Sequence, residues 1–172
     1  MTGLREQLAG GDRRSIGKSN LVVQKVIADR RRLAEIIGGL THDDPMIRMR
    51  CADVAEKVTK THPEWLQPFK RAILAVASLN GEQEVCWHVA QMLPRLRLTP
   101  HERRTAVRLL FGYLNDKSRI VKTCAWQALS DFAENDPELS ARLLPRLRKA
   151  GRTGSPAVRA RAKRLIAALA QK

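Results

Sequence analysis

Trp87 and Trp126 fall among amide and cationic side chains: Gln91, Gln127, Lys122, Arg159, Lys163 and Arg164. Aromatic faces beside cations and amides are the chemistry of recognition. An indole stacks on a nucleobase or anchors a protein hot spot, and a cation pairs with phosphate or carboxylate. Residue types that carry catalysis are scattered by comparison. His42, His62, His88 and His101 show no metal-ligand spacing, and Cys86-x-His88 is a single pair without companions. The run Gly11-Asp-Arg-Arg-Ser-Ile-Gly17-Lys18-Ser19 looks like a phosphate loop. It has five residues between its glycines where the motif has four, and no buried strand precedes it. No Gly-x-Ser-x-Gly nucleophile elbow occurs. The chain therefore reads as a binding protein rather than an enzyme, with no catalytic residue, metal or cofactor expected.

Charge narrows the class of partner. The chain carries 32 Lys and Arg against 17 Asp and Glu, a formal net charge of +15. After Glu138 no acidic residue follows, while Arg142, Arg146, Arg148, Lys149, Arg152, Arg159, Arg161, Lys163, Arg164 and Lys172 do. Such a surface is either simply well solvated or it meets a polyanion: nucleic acid, an anionic membrane surface or an acidic protein. Residues 1–18 are polar and rich in glycine, and read as a flexible basic arm in which Arg13, Arg14 and Lys18 would touch nucleic acid. Three cysteines, Cys51, Cys86 and Cys124, form no CxxC and are odd in number, which points to reduced thiols. No run approaches the ~18 apolar residues of a membrane span, and no secretory leader pattern opens the chain. A cytoplasmic location is expected.

Positioning such a surface falls to helices. With Ile47, Val85, Val121 and Val158 as anchors, an apolar stripe recurs at steps of 38, 36 and 37 residues. Each anchor is followed by apolar residues at +4, +7 and +11, one face of an α-helix. A period of this length marks stacked helix pairs, none of which buries its face alone. First helices are expected near 30–40, 62–79, 100–115 and 137–149, second helices near 45–60, 83–96, 118–134 and 156–170, and a half-pair near 20–28 after Ser19 or Asn20 as cap. Asp44-Pro45, Asp136-Pro137 and Ser155-Pro156 set a capping side chain before a proline at the first helical position. Thr61-x-x-Glu64 and Thr99-x-x-Glu102 read as capping boxes. Pro68, Pro94 and Pro145 fall inside expected helices and should kink them.

The stretch Asp44-Pro45-Met46-Ile47-Arg48-x-x-Cys51-Ala52-x-x-Ala55 resembles the second helix of a HEAT repeat, as does Val158-Arg159-Ala160-x-Ala162. Val121-Lys122 keeps the charge type, whereas Val85-Cys86 departs from it. The resemblance covers about 20–170 and is similar in character to short bacterial HEAT-like proteins. It implies an all-α fold, an α-α superhelix (HEAT-like solenoid) of about four helix pairs plus an N-terminal half-pair, forming one domain over 19–172. It also implies that second helices line a concave face. At 100° per residue, positions +2, +5, +6 and +9 from each anchor point away from the apolar stripe. Trp87 and Trp126 occupy such positions on adjacent repeats, with Gln91 and Gln127 beside them. Arg48, Lys122 and Arg159 form a broken cationic ladder, and Lys163 and Arg164 extend it. The expected function is a non-enzymatic scaffold whose basic, Trp-containing face binds an acidic protein or a nucleic acid, and exposed tryptophans would also serve a homo-oligomer. Direct nucleic-acid binding is the alternative. HEAT-like alkylpurine DNA glycosylases offer a less favoured variant. They use tryptophans and a catalytic Asp, but here Asp131 lies about 140° around the helix from Trp126.

Overall fold

Capping chemistry sets most helix starts. In the computed structural model, which describes residues 3–12, 15–79 and 81–170, the Asp44 carboxylate accepts the Met46 N–H at 2.8 Å and Pro45 opens the helix. The Asp136 carboxylate accepts the Leu139 N–H at 2.9 Å, again ahead of a proline. Thr99 and Glu102 form the reciprocal capping box, with bonds of 3.3 and 2.8 Å. Ten α-helices result among the described residues: α1 (Leu4–Gln7), α2 (Ser19–Ala28), α3 (Leu33–Gly38), α4 (Pro45–Thr61), α5 (Lys70–Ser78), α6 (Gln83–Met92), α7 (Pro100–Tyr113), α8 (Arg119–Ala133), α9 (Pro137–Thr153) and α10 (Pro156–Ala170). Short 3-10 turns occupy Arg30–Arg32, Gly39–Thr41, Pro63–Phe69 and Leu93–Arg95.

The expected pairs are present: α3 packs on α4, α5 on α6, α7 on α8 and α9 on α10, with α2 as the half-pair against α4. Several boundaries differ for local reasons. Pro68 and Pro94 lie in 3-10 turns rather than kinked α-helix. α9 instead runs through Pro145 to Thr153. The expected box at Thr61 does not form. α4 continues through Thr61, whose hydroxyl donates to the Val58 carbonyl at 3.1 Å. Neither Ser19 nor Asn20 caps α2: Lys18 holds the cap position, and Ser19 is buried as the first helical residue.

The chain divides into two compact units, Met1–Arg97 and Leu98–Lys172, where the sequence reading has one domain over 19–172. In the first unit α4 is the hub, packed by α1, α2, α3 and α6. It is buried almost all round, so small residues such as Ala52 and Ala55, both fully buried, suit it. Gly39 is needed here for close approach, since a Cβ at that position would collide with the Cys51 sulfur. That burial pushes the Cys51 thiol up to about 12. Arg95 ties the Leu93–Arg95 turn to α4. It donates to the Glu56 carbonyl at 2.8 Å and the Thr59 hydroxyl at 2.9 Å, and pairs with the Glu56 carboxylate. In the second unit α8 takes the hub position, packed by α7, α9 and α10.

The segment read as a flexible arm is built into the first unit where it is described. Leu4 and Leu8 are fully buried, and α1 packs on α3 and α4. Glu35 of α3 accepts the N–H groups of Leu4 and Arg5. Arg50 of α4, only 2% exposed, donates to the carbonyls of Leu8, Gly10, Asp12 and Ser15. Gly17, at φ +52°, closes this loop over the Arg50 guanidinium, a backbone shape that a side chain there would strain.

Candidate functional site

The first unit opens a cavity of about 460 Å³ beside Trp87. α4 supplies Met49, Arg50 and Asp53 to its wall, α6 supplies Glu84, Trp87 and His88, and the loop before α2 supplies Asp12, Ser15 and Ile16. Trp87 is half-buried, its ring 5.6 Å from the His88 ring. His88 Nε2 lies 4.0 Å from an Asp53 oxygen, an electrostatic contact rather than a hydrogen bond. The other Asp53 oxygen takes Lys57 Nζ at 2.8 Å. Burial lowers the His88 pKa against the pull of Asp53, so the imidazole stays neutral at pH 7. The cavity is thus part aromatic and part acidic, unlike the basic face expected around Trp87.

Several residues expected on the partner face are committed internally. Arg48 pairs with Glu82 and donates to the carbonyls of His42 and Asp43, and the Glu82 bond raises its pKa. Gln91 donates to the Trp87 carbonyl one turn back at 3.1 Å. Trp126 is the clearest correction: it is 7% exposed. A single-stripe helical wheel assigns α8 one buried face, but three neighbouring helices cover it on more than one side. Gln127 bridges helices, accepting from Arg161 at 2.7 Å and donating to Asp131 at 2.7 Å. Lys122 is half-buried. Arg159, Lys163 and Arg164 of α10 are exposed, as is Lys18. Arg13 and Arg14 lie outside the described residues.

An arginine-rich cleft of about 500 Å³ opens between α7 and α9, away from the second helices on which the sequence placed a binding face. Arg103, Arg104 and Arg108 come from α7, and Arg142 and Arg146 from α9. Phe111 also lines it, with the Arg142 and Arg146 guanidiniums 5.7 and 5.1 Å from the ring centre. Arg103 pairs with Asp136 at 2.6 Å and caps the Phe132 carbonyl. Asp136 sits below the usual carboxylate range, held there by the Leu139 N–H and then by Arg103. The legible clue was periodicity: Arg104 and Arg142, like Arg108 and Arg146, are 38 residues apart, one repeat step.

Solved structures share this architecture. One engineered protein aligns at TM-score 0.65 and 16% identity, covering 98% of this chain and 80% of its own. A second engineered protein aligns at 0.64 and 15%, covering 98% and 78%. A designed armadillo repeat protein, solved in complex with the peptide (KR)4, aligns at 0.64 and 16%, covering 96% and 80%. No protein-family model and no curated protein sequence matches the chain. The fold is all-α, of paired helices that match α-α superhelix repeat proteins. Among the described residues, no helix is long and apolar enough to cross a membrane, and no group of three or more His, Cys, Asp or Glu side chains is placed to hold a metal ion.

Proposed function

We propose that this chain is a non-enzymatic, HEAT-like helical-repeat scaffold that binds an acidic partner through its cationic second unit. One observation carries the reading. Arg142, Arg146, Arg148, Lys149, Arg152, Arg159, Lys163 and Arg164, on consecutive helices α9 and α10, are all exposed, and none makes an ion pair among the described residues. Like charges held together on a folded surface repel, and a polyanion relieves that repulsion while releasing its own counterions. The designed repeat protein that holds (KR)4 supports a peptide-sized ligand for this class of fold. A chain of net charge +15 repels a basic peptide and attracts an acidic one, or a nucleic acid.

The test is a titration of the full chain with labelled polyglutamate and with a labelled oligonucleotide at ~50 mM salt, repeated at ~200 mM. Binding that weakens with salt, and weakens further in the triple variant Arg159→Gln, Lys163→Gln, Arg164→Gln, is the expected result. If neither polyanion binds at the lower salt, the charge serves solubility alone.

A further inference from the structure

Resting on the reading of a cationic second unit, we infer that the α7–α9 cleft is a distinct binding site for the phosphodiester backbone of single-stranded nucleic acid. It lies on the first helices of two successive repeats, not on the second helices where HEAT-type sequence logic places the binding face. Arg104, Arg108, Arg142 and Arg146 are exposed, and none makes an ion pair among the described residues. On each helix the two arginines are four residues apart, about 6 Å along the axis, and the 38-residue offset repeats the pattern on the next helix. Both arginine pairs line one cleft of about 500 Å³.

The cleft also holds carboxylates. Asp136 is already taken by Arg103 and the Leu139 N–H, while Glu138 is exposed at the rim. Five guanidiniums against these two carboxylates leave the lining cationic. All five cations are arginine, whose planar fork grips phosphate oxygens in pairs. What favours nucleic acid over an acidic peptide is Phe111. Its half-buried ring has two guanidinium carbons within cation–π range, 5.1 and 5.7 Å from its centre. A base adds to such a cation–aromatic cluster, and a Glu or Asp side chain has no use for it.

Fluorescence anisotropy of the full chain with labelled oligo-dT of about 15 nucleotides tests this. The quadruple variant Arg104→Gln, Arg108→Gln, Arg142→Gln, Arg146→Gln should weaken binding at least about tenfold. It should also flatten the slope of log affinity against log salt by about 3, since each single-strand phosphate contact contributes ~0.7. Phe111→Leu should weaken oligo-dT binding by about tenfold with the slope unchanged, because stacking is lost and no charge is. The pair Arg104→Gln, Arg142→Gln is the milder arm if the quadruple variant loses its helical circular dichroism. Wild-type affinity and slope in these variants, with loss only in the α10 triple variant, would overturn the cleft but leave the cationic scaffold standing. Polyglutamate binding as tightly as oligo-dT, with Phe111→Leu silent, would overturn it in favour of an acidic protein. Failure of every polyanion would remove both.

Discussion

Arg50→Met is the sharpest perturbation of the first unit. It keeps an unbranched apolar stem and removes the guanidinium that gathers the carbonyls of Leu8, Gly10, Asp12 and Ser15. A hydrogen bond to a charged group contributes about 1.5–3 kcal/mol net. Three of the four carbonyls belong to exposed residues that water can solvate once the cation is gone, so their bonds count for less. Leu8, by contrast, is fully buried. The expected loss is about 3 kcal/mol, a large part of the ~5–15 kcal/mol that holds a domain of this kind together. At a urea slope of ~2 kcal/mol per M, the midpoint should fall by about 1.5 M. Hydrogen exchange should rise most over residues 3–12, because the carbonyls of Leu8, Gly10 and Asp12 lose their shared tie to α4. Arg50→Lys should recover only part of the loss, since an ammonium cannot span four acceptors as a fork does. An unchanged midpoint in Arg50→Met, with residues 3–12 as protected as before, would show that this segment is held by apolar packing alone.

Trp126→Ala should cost about 3–5 kcal/mol in urea unfolding, as for a buried aromatic, whereas half-buried Trp87→Ala should cost less than ~2 kcal/mol; equal losses would contradict the burial difference. Asp136→Ala should destabilise by about 1 kcal/mol through the lost α9 cap, and Asp136→Asn by less, because an amide still caps. The Asp136 contribution also has a pH signature. Its folded pKa lies below the ordinary 3.8, so its stabilisation is present above that value and is lost as pH falls through the range beneath it. His88 is lowered from 6.5 by burial, so the unfolded chain takes up its proton more readily than the folded one. Stability should therefore decline as pH drops below about 6.5, and His88→Asn should flatten that limb of a melting-temperature profile.

Helix boundaries were the most legible part of the sequence because they rest on local chemistry. Asp44, Thr99 and Asp136 each solve the orphan N–H problem within three residues, and all three do so in the structure. Thr61 carries the same local motif but is overruled: α4, packed by α1, α2, α3 and α6, takes Thr61 as its last helical residue. Long-range demands were not legible. Leu4 and Leu8 have helical spacing, yet nothing nearby in the chain announces that Arg50 collects the carbonyls that follow them. Trp126 was misplaced because a helical wheel sees one stripe, whereas a hub helix is covered on several sides. The arginine cleft needed two ingredients together: i,i+4 pairs on two helices, and the repeat step that brings those helices side by side.

A surface of one sign on α9 and α10 makes added electrolyte act in two directions at once. Ions at 0.1 M screen charges beyond about 10 Å, easing the mutual repulsion of the eight exposed cations and letting these helices sit together more comfortably. The same screening loosens the grip on anything that arrives bearing the opposite sign. Electrolyte that steadies these two helices is thus the same electrolyte that would weaken any polyanion held by them.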